Sequence, residues 1–156
     1  MNERFETFTL QIAKISRAIR RIKSFEMEDF DLKSPHVSCL YYLYRNGSPL
    51  TAKELCNKCD EDKAAISRSM ELLESSQLIT FEQKTGKRYN SPISLTQKGK
   101  KIGQEIAHRI DEIVHIASSG INDEDRQIFY DCLLKISKNL NNYCKIKEAK
   151  GERDEK

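Results

Sequence analysis

The sequence has no window approaching the ~18 uncharged apolar residues that a membrane-spanning helix needs, so no span is expected. Glycine and proline are scarce, six and three in 156 residues. Together with clear apolar periodicity, that scarcity excludes collagen-like and wholly disordered chains. The N-terminus lacks the apolar core of a secretion signal, because Glu3, Arg4 and Glu6 interrupt it. A cytoplasmic protein is expected, and its five cysteines are then reduced thiols by default. Catalytic signatures are missing as well. There is no Gly-rich phosphate loop, no Gly-x-Ser-x-Gly and no His-Glu-x-x-His, so neither an enzyme nor a cofactor is expected. Cys56-Asn57-Lys58-Cys59 is a single CxxC. A structural zinc site normally needs two further ligands at similar spacing, and no metal is expected.

What the chain has is charge and helical periodicity. Charged residues make up 33% of it, above the ~25% usual for soluble proteins. The net charge is only +3, so the placement of the bases, not their sum, must decide whether nucleic acid binds. Phe5, Phe8, Ile12, Ile15, Ile19 and Ile22 recur at alternating steps of three and four, the seam of a helix that packs on other helices. Such a stripe is either ordinary core or a dimer face. Ser34-Pro35 is expected to cap and open a second helix, which Asn46-Gly47-Ser48-Pro49 ends. Thr51 and Glu54 form a capping-box pattern for a short third helix. Asp60, Glu61 and Asp62 mark the turn into a fourth, running from Lys63 to about Ser76 with Ile66, Met70 and Leu73 inward. The stretch 78–82 alternates like a strand, 83–90 is a hairpin tip carrying Lys84, Lys87 and Arg88, and Ile93-Ser94-Leu95 is the return strand. Thr96 caps a long helix with Ile102, Ile106, Ile110 and Ile113 on one face. Asn122 opens a last helix, and the charged end is expected to fray.

Helix, turn, helix and basic hairpin together make a winged helix-turn-helix, because a helix fits the major groove while a basic hairpin reaches the minor groove beside it. With Ile66 inward, Ala64, Ser67, Arg68, Glu71 and Ser75 face outward. Small side chains at Ala64 and Ala65 allow close approach. Lys63 is within reach of phosphate, and Arg68 can make two hydrogen bonds to a guanine edge. Double-stranded DNA is the expected partner. From Thr51 to Thr96, however, the bases Lys53, Lys58, Lys63, Arg68, Lys84, Lys87 and Arg88 equal the acids in number. Binding must come from segregation of charge.

Thr51-Ala52-Lys53-Glu54-Leu55, Asp62-Lys63-Ala64-Ala65-Ile66-Ser67-Arg68, Leu73-Glu74, Leu78-Ile79 and Leu95-Thr96-Gln97-Lys98-Gly99 resemble, in order and spacing, the MarR family of bacterial transcription regulators. The likeness covers residues 34–103. It implies a mainly α winged helix-turn-helix with a small β-hairpin wing and N- and C-terminal dimerisation helices. The expected divisions are 1–33 for the N-terminal dimerisation helix, 34–96 for the DNA-binding lobe, 97–147 for the C-terminal helices and 148–156 for a disordered charged tail. The resemblance further implies a homodimer on a palindromic operator, usually a repressor, released by a small ligand or an oxidant. Base reading would fall to Lys63, Ala64, Ala65, Ser67 and Arg68, and wing contacts to Lys84, Lys87, Arg88 and Tyr89. The family wing usually carries Asp-x-Arg. Here the counterpart is Lys87-Arg88-Tyr89, without the Asp and with Tyr in place of Arg; a one-residue shift returns Arg88 to that role. Gln77 stands where the family favours Gly, so strain is expected if its φ is positive.

Two switches are open. By resemblance a ligand would lodge near Ile15, Ile19, Tyr41 and Tyr44, although a filled core would use the same residues. Alternatively Cys56 and Cys59, just before the recognition helix, could be oxidised. Lys53, Lys58 and Lys63 favour a thiolate there, whereas the adjacent acidic run opposes it, and the ligand is the preferred route. Within one helix, cysteines at i and i+3 are poorly placed for a disulfide. Cys39 and Cys132 read as core, and Cys144 as an exposed thiol. His108 and His115 read as a helix-surface pair rather than a metal pair. The remaining alternative is a winged-helix module for protein contacts.

Overall fold

The structure, a computed structural model, describes residues 2–30, 32–82 and 91–154 and divides into two units, Met1–Glu112 and Ile113–Lys156. The first holds α1 (Asn2–Met27), a single 3-10 turn (Glu28–Phe30), α2 (Ser34–Asn46), α3 (Ala52–Cys59), α4 (Lys63–Ser75), β1 (Ile79–Phe81), β2 (Ile93–Leu95) and most of α5 (Gln97–Ala117). The second is largely α6 (Asp123–Asp154). The described residues are mainly helical with one antiparallel pair of strands, as the sequence predicts.

The core gathers Leu40 and Leu43 of α2, Leu55 of α3, Ile66 and Leu73 of α4, Ile93 of β2 and Ile106 of α5. The spacing of these residues selects the inward faces. The strands pair Ile79 with Leu95 and Phe81 with Ile93. Leu50, just before α3, joins as an isolated bridge to Ile93. Two arginines clip the outside. Arg109 of α5 reaches Asp29 at 3.0 Å and Glu105 at 3.1 Å, with its guanidinium 4.9 Å over the Phe30 ring. Arg45 of α2 pairs with Asp111 of α5.

The start of α2 differs from expectation. Lys33, not Ser34, is the cap residue, and Ser34 and Pro35 occupy the first helical positions. The reason is His36, whose Nδ1 accepts from the Lys33 N–H at 3.2 Å, as a glutamate does in a capping box. The hydroxyl of Ser34 is not needed there.

α4 ends as a Schellman motif. The Gln77 N–H donates to the Glu74 carbonyl at 2.8 Å and the Leu78 N–H to the Leu73 carbonyl at 2.8 Å, while buried Leu73 and Leu78 make the accompanying apolar contact. Gln77 carries the left-handed turn with φ 59°, which glycine adopts without a Cβ clash. Behind it, α5 lies so close that a Cβ on Gly99 would stand 1.9 Å from the Leu78 carbonyl oxygen.

Two expectations about the helices of the flanks need correction. The tail from 148 does not begin as a disordered segment, because α6 continues to Asp154. Lys, Glu, Ala and Arg are strong helix formers, so an existing helix propagates through them at little cost. Cys132 is exposed rather than core, as are Ile128, Phe129, Leu140 and Tyr143 of α6. On α1, Ile12, Ile15 and Ile19 are likewise exposed.

Replacing Gln77 by Gly is expected to raise stability by roughly 1 kcal/mol. Gly99→Ala is expected to lower it by ~3 kcal/mol, since backbone must move. Urea unfolding midpoints check both. His36 supplies a pH dependence. Burial, then the charge of Lys33, holds its imidazole below the usual value, so the folded chain favours neutral His36. That contribution is complete above the unfolded imidazole's ~6.5 and is lost as pH falls through the lower folded value. Thermal unfolding should therefore show the parent losing more stability than His36→Asn between about pH 7 and about pH 5.

Candidate nucleic-acid interface

The interface is built on the turn between α3 and α4. Thr51 opens α3 by accepting the Glu54 N–H at 3.3 Å, while the Glu54 carboxylate accepts the Thr51 N–H at 2.7 Å. The carboxylate also accepts the Thr51 hydroxyl at 2.7 Å, and donation from the Thr51 backbone first and its hydroxyl second holds the Glu54 carboxyl below the usual range. Asp60 ends α3 in the left-handed region with φ 53°. Asp62 then caps α4, its carboxylate accepting the Ala65 N–H at 2.7 Å. The chain thus reverses direction within three acidic residues, and each helix end has its backbone partners.

On α4 the inward set is Ile66, Ser69, Met70 and Leu73. Buried Ser69 returns its hydroxyl to the Ala65 carbonyl at 2.9 Å, so no unsatisfied polar group enters the core. Lys63, Ala64, Ser67, Arg68 and Glu71 are exposed, whereas Ala65 is half-buried. The exposed face therefore presents two small residues between two bases. Glu71 follows Arg68 toward the C-terminal end, so the positive part is confined to the first two turns. The wing residues Lys84, Lys87, Arg88 and Tyr89 lie outside the described residues. β1 and β2, on either side of that stretch, pair antiparallel.

The four effector candidates lie on two helices. Ile15 and Ile19 are exposed on α1, and Tyr41 and Tyr44 are half-buried on α2. Tyr44 borders a groove of about 320 Å³ with Leu43, Pro49, Ile93, Leu95 and Lys100. Tyr41 packs edge-on against Tyr42, 5.2 Å between centroids, with the Arg45 guanidinium 5.6 Å from its ring.

Cys56 and Cys59 are both half-buried. Cys59 Sγ lies 3.9 Å from the Sγ of Cys39, twenty residues earlier and fully buried in α2. The hydrogen bond between the two thiols acts oppositely on them, while burial raises both. The bond first and burial second raise Cys39, whereas the same hydrogen bond leads in lowering Cys59, helped by Lys23 and opposed by burial and Glu61. The sequence singled out Cys56 and Cys59; the thiol that meets Cys59 is Cys39, and nothing in the chain order signals a contact between α2 and the end of α3. His108 pairs with Glu112 at 3.6 Å, and no group of three or more metal-ligating side chains occurs among the described residues.

Comparison with known proteins agrees with this architecture. A sequence model described as the MarR family matches residues 30–88. An uncharacterized HTH-type transcriptional regulator of Bacillus subtilis, YybA, is 26% identical over 133 residues, 83% of this chain and 86% of that one. Among solved structures, the MarR family regulator NMB1585 of Neisseria meningitidis is similar with a TM-score of 0.77 and 18% identity, over 89% of this chain and 94% of that one. MepR of S. aureus, solved as a DNA complex, has a TM-score of 0.75 and 21% identity, over 85% of this chain and 96% of its own.

Proposed function

We propose that this chain, whose residues 30–88 match a MarR family model, is a DNA-binding transcription regulator of that family, acting in the cytoplasm as a homodimeric repressor on a palindromic operator. The observation that carries this reading is the outer face of α4, where exposed Lys63, Ala64, Ser67 and Arg68 offer two bases around a low-relief strip. That strip suits entry into the major groove, with Ala65 shaping the approach rather than touching a base. Lys84, Lys87, Arg88 and Tyr89 are assigned to the neighbouring backbone or minor groove. The MepR complex, a fold relative bound to DNA, supports the same use of the fold.

Dimerisation is assigned to residues 1–33 and 97–147, flanking a DNA-binding lobe at 34–96. Support comes from the apolar side chains that α1 and α6 leave exposed, Ile15, Ile19, Ile128 and Phe129 among them. Two α4 helices would then enter successive major grooves about 34 Å apart. Release by a small apolar molecule is the preferred switch. Its support is the Tyr44 groove, large enough for a small ligand, rather than the full set of Ile15, Ile19, Tyr41 and Tyr44. An effector that prefers the DNA-incompetent shape ~100-fold shifts the equilibrium by ~2.7 kcal/mol.

DNA selection from a random pool tests the function. Recovery of a two-fold symmetric sequence is expected; no enrichment would favour a protein-interaction module instead. On the selected DNA, Arg68→Ala should cost ~1–3 kcal/mol and relax base preference. Lys87→Ala or Arg88→Ala should weaken binding to all sequences and flatten the salt dependence. An Arg68 variant that keeps the parent's preference for the operator over random DNA would overturn the recognition-helix assignment. For the dimer, Ile15→Lys combined with Ile19→Lys should give monomers in light scattering and lose the affinity gained from two half-sites.

A further inference from the structure

We propose that Cys59 and Cys39 are the oxidisable pair of this protein, closing to a disulfide with hydrogen peroxide and thereby displacing α4 from its DNA-binding position. The consequence for DNA rests on the function proposed above; the disulfide itself does not.

The two sulfurs already stand 3.9 Å apart, with nothing needed between them. A disulfide requires ~2.05 Å, so closure is a movement of roughly 2 Å along an existing contact. The two cysteines are unequal. Cys39 is wholly enclosed by the core between Val37, Leu40 and Leu43, out of reach of an oxidant. Cys59 is half-buried at the last position of α3 and is the sulfur that solvent can reach. Donation from the Cys39 thiol, and Lys23 of α1 nearby, both favour a thiolate on Cys59, against burial and Glu61. Attack and resolution are therefore divided between an accessible sulfur and a sheltered one.

The chemistry balances with peroxide as the two-electron oxidant. The Cys59 thiolate attacks one peroxide oxygen, the O–O bond breaks, and the departing hydroxide takes a proton to become water. Cys59 is left as a sulfenic acid. The Cys39 sulfur then attacks the Cys59 sulfur, the S–O bond breaks, and the hydroxide released leaves as water with the Cys39 thiol proton. Two thiols and one peroxide give one disulfide and two waters.

The movement falls on the DNA-binding turn because of what each cysteine is attached to. Cys39 sits mid-helix among side chains that have no room to give. Cys59 is followed at once by Asp60 with φ 53° and then by Asp62, whose carboxylate fixes the first turn of α4. Drawing Cys59 toward α2 pulls on this three-residue link, which displaces Lys63 first. Cys56 is the natural control, one turn back on the same helix and unable to pair with Cys59 without unwinding it.

The test uses the full-length reduced protein and hydrogen peroxide. Peptide mapping after alkylation should find a Cys39–Cys59 cross-link, reversed by dithiothreitol, in the parent and in Cys56→Ser but not in Cys59→Ser or Cys39→Ala. Alanine is chosen at Cys39 because a buried hydroxyl would destabilise the core. Hydrogen exchange at residues 60–68 should accelerate on oxidation, and affinity for the selected DNA should fall by about tenfold or more, both only where the cross-link forms. A Cys56-containing cross-link, or no cross-link, overturns the pair. A cross-link with unchanged exchange and unchanged affinity overturns the displacement. If the reduced protein selects no DNA, the regulator reading fails by itself, and mapping with hydrogen exchange still decides the disulfide and the movement.

Discussion

Two backbone hydrogen bonds between Leu50 and Ile93 set the geometry on which the DNA-binding lobe depends. The Ile93 N–H donates to the Leu50 carbonyl at 2.8 Å, and the Leu50 N–H returns to the Ile93 carbonyl at 3.1 Å. Leu50 is the residue before the Thr51 cap of α3, and Ile93 opens β2. One reciprocal pair thus fixes where α3 starts relative to the β1–β2 pair. Both side chains are buried, so the bonds are sheltered from water and packed from both sides. From that point the positions are set in series: Thr51 orients α3, the Asp60–Asp62 turn orients α4, and the Schellman motif with Gln77 returns the chain to β1.

This series also accounts for how an electrically neutral segment can present a basic face. Two of its seven acids are held by backbone N–H groups at helix starts. Glu54 is bound to the Thr51 N–H and hydroxyl, and Asp62 to the Ala65 N–H. At helix starts these carboxylates complement the dipole instead of opposing a phosphate. Lys63 and Arg68 lie instead on the outward face of α4, where the potential is local and short-ranged. Electrostatics of this kind favours close docking over capture from a distance.

The parts of the fold that were legible in the sequence are those fixed by local chemistry. Thr51 with Glu54, Asp62 before Lys63, and Asn122 before Asp125 each satisfy backbone donors within three residues, so spacing alone reveals them. Gln77 was singled out by the family resemblance, which favours Gly there, and its φ is positive. The cap of α2 was misplaced because His36, an uncommon acceptor at that position, does what Ser34 was expected to do. The outward face of α4 followed from periodicity, but the half-burial of Ala65 depends on what packs beside the helix. Cys39 beside Cys59 could not be read at all. It is a contact between helices: Cys39 reads as ordinary core in its own segment, and Cys59 stood out only beside Cys56.

The same distinction explains why the flanks and the lobe behave differently as sources of inference. In the lobe, apolar periodicity and burial coincide: Ile66, Met70 and Leu73 are predicted inward and are inward. On α1 the periodicity is equally regular, yet Ile12, Ile15 and Ile19 remain exposed. A stripe of this length left in water forgoes roughly 25 cal/mol for each Å² of apolar surface, and a stripe spaced at alternating threes and fours has the form that another helix fits. Periodicity therefore states that a face is to be covered, not by what. For α4 the covering is the chain's own core. For α1 the stripe stays exposed in the unit that contains it, and that is the surface the proposed dimerisation would use.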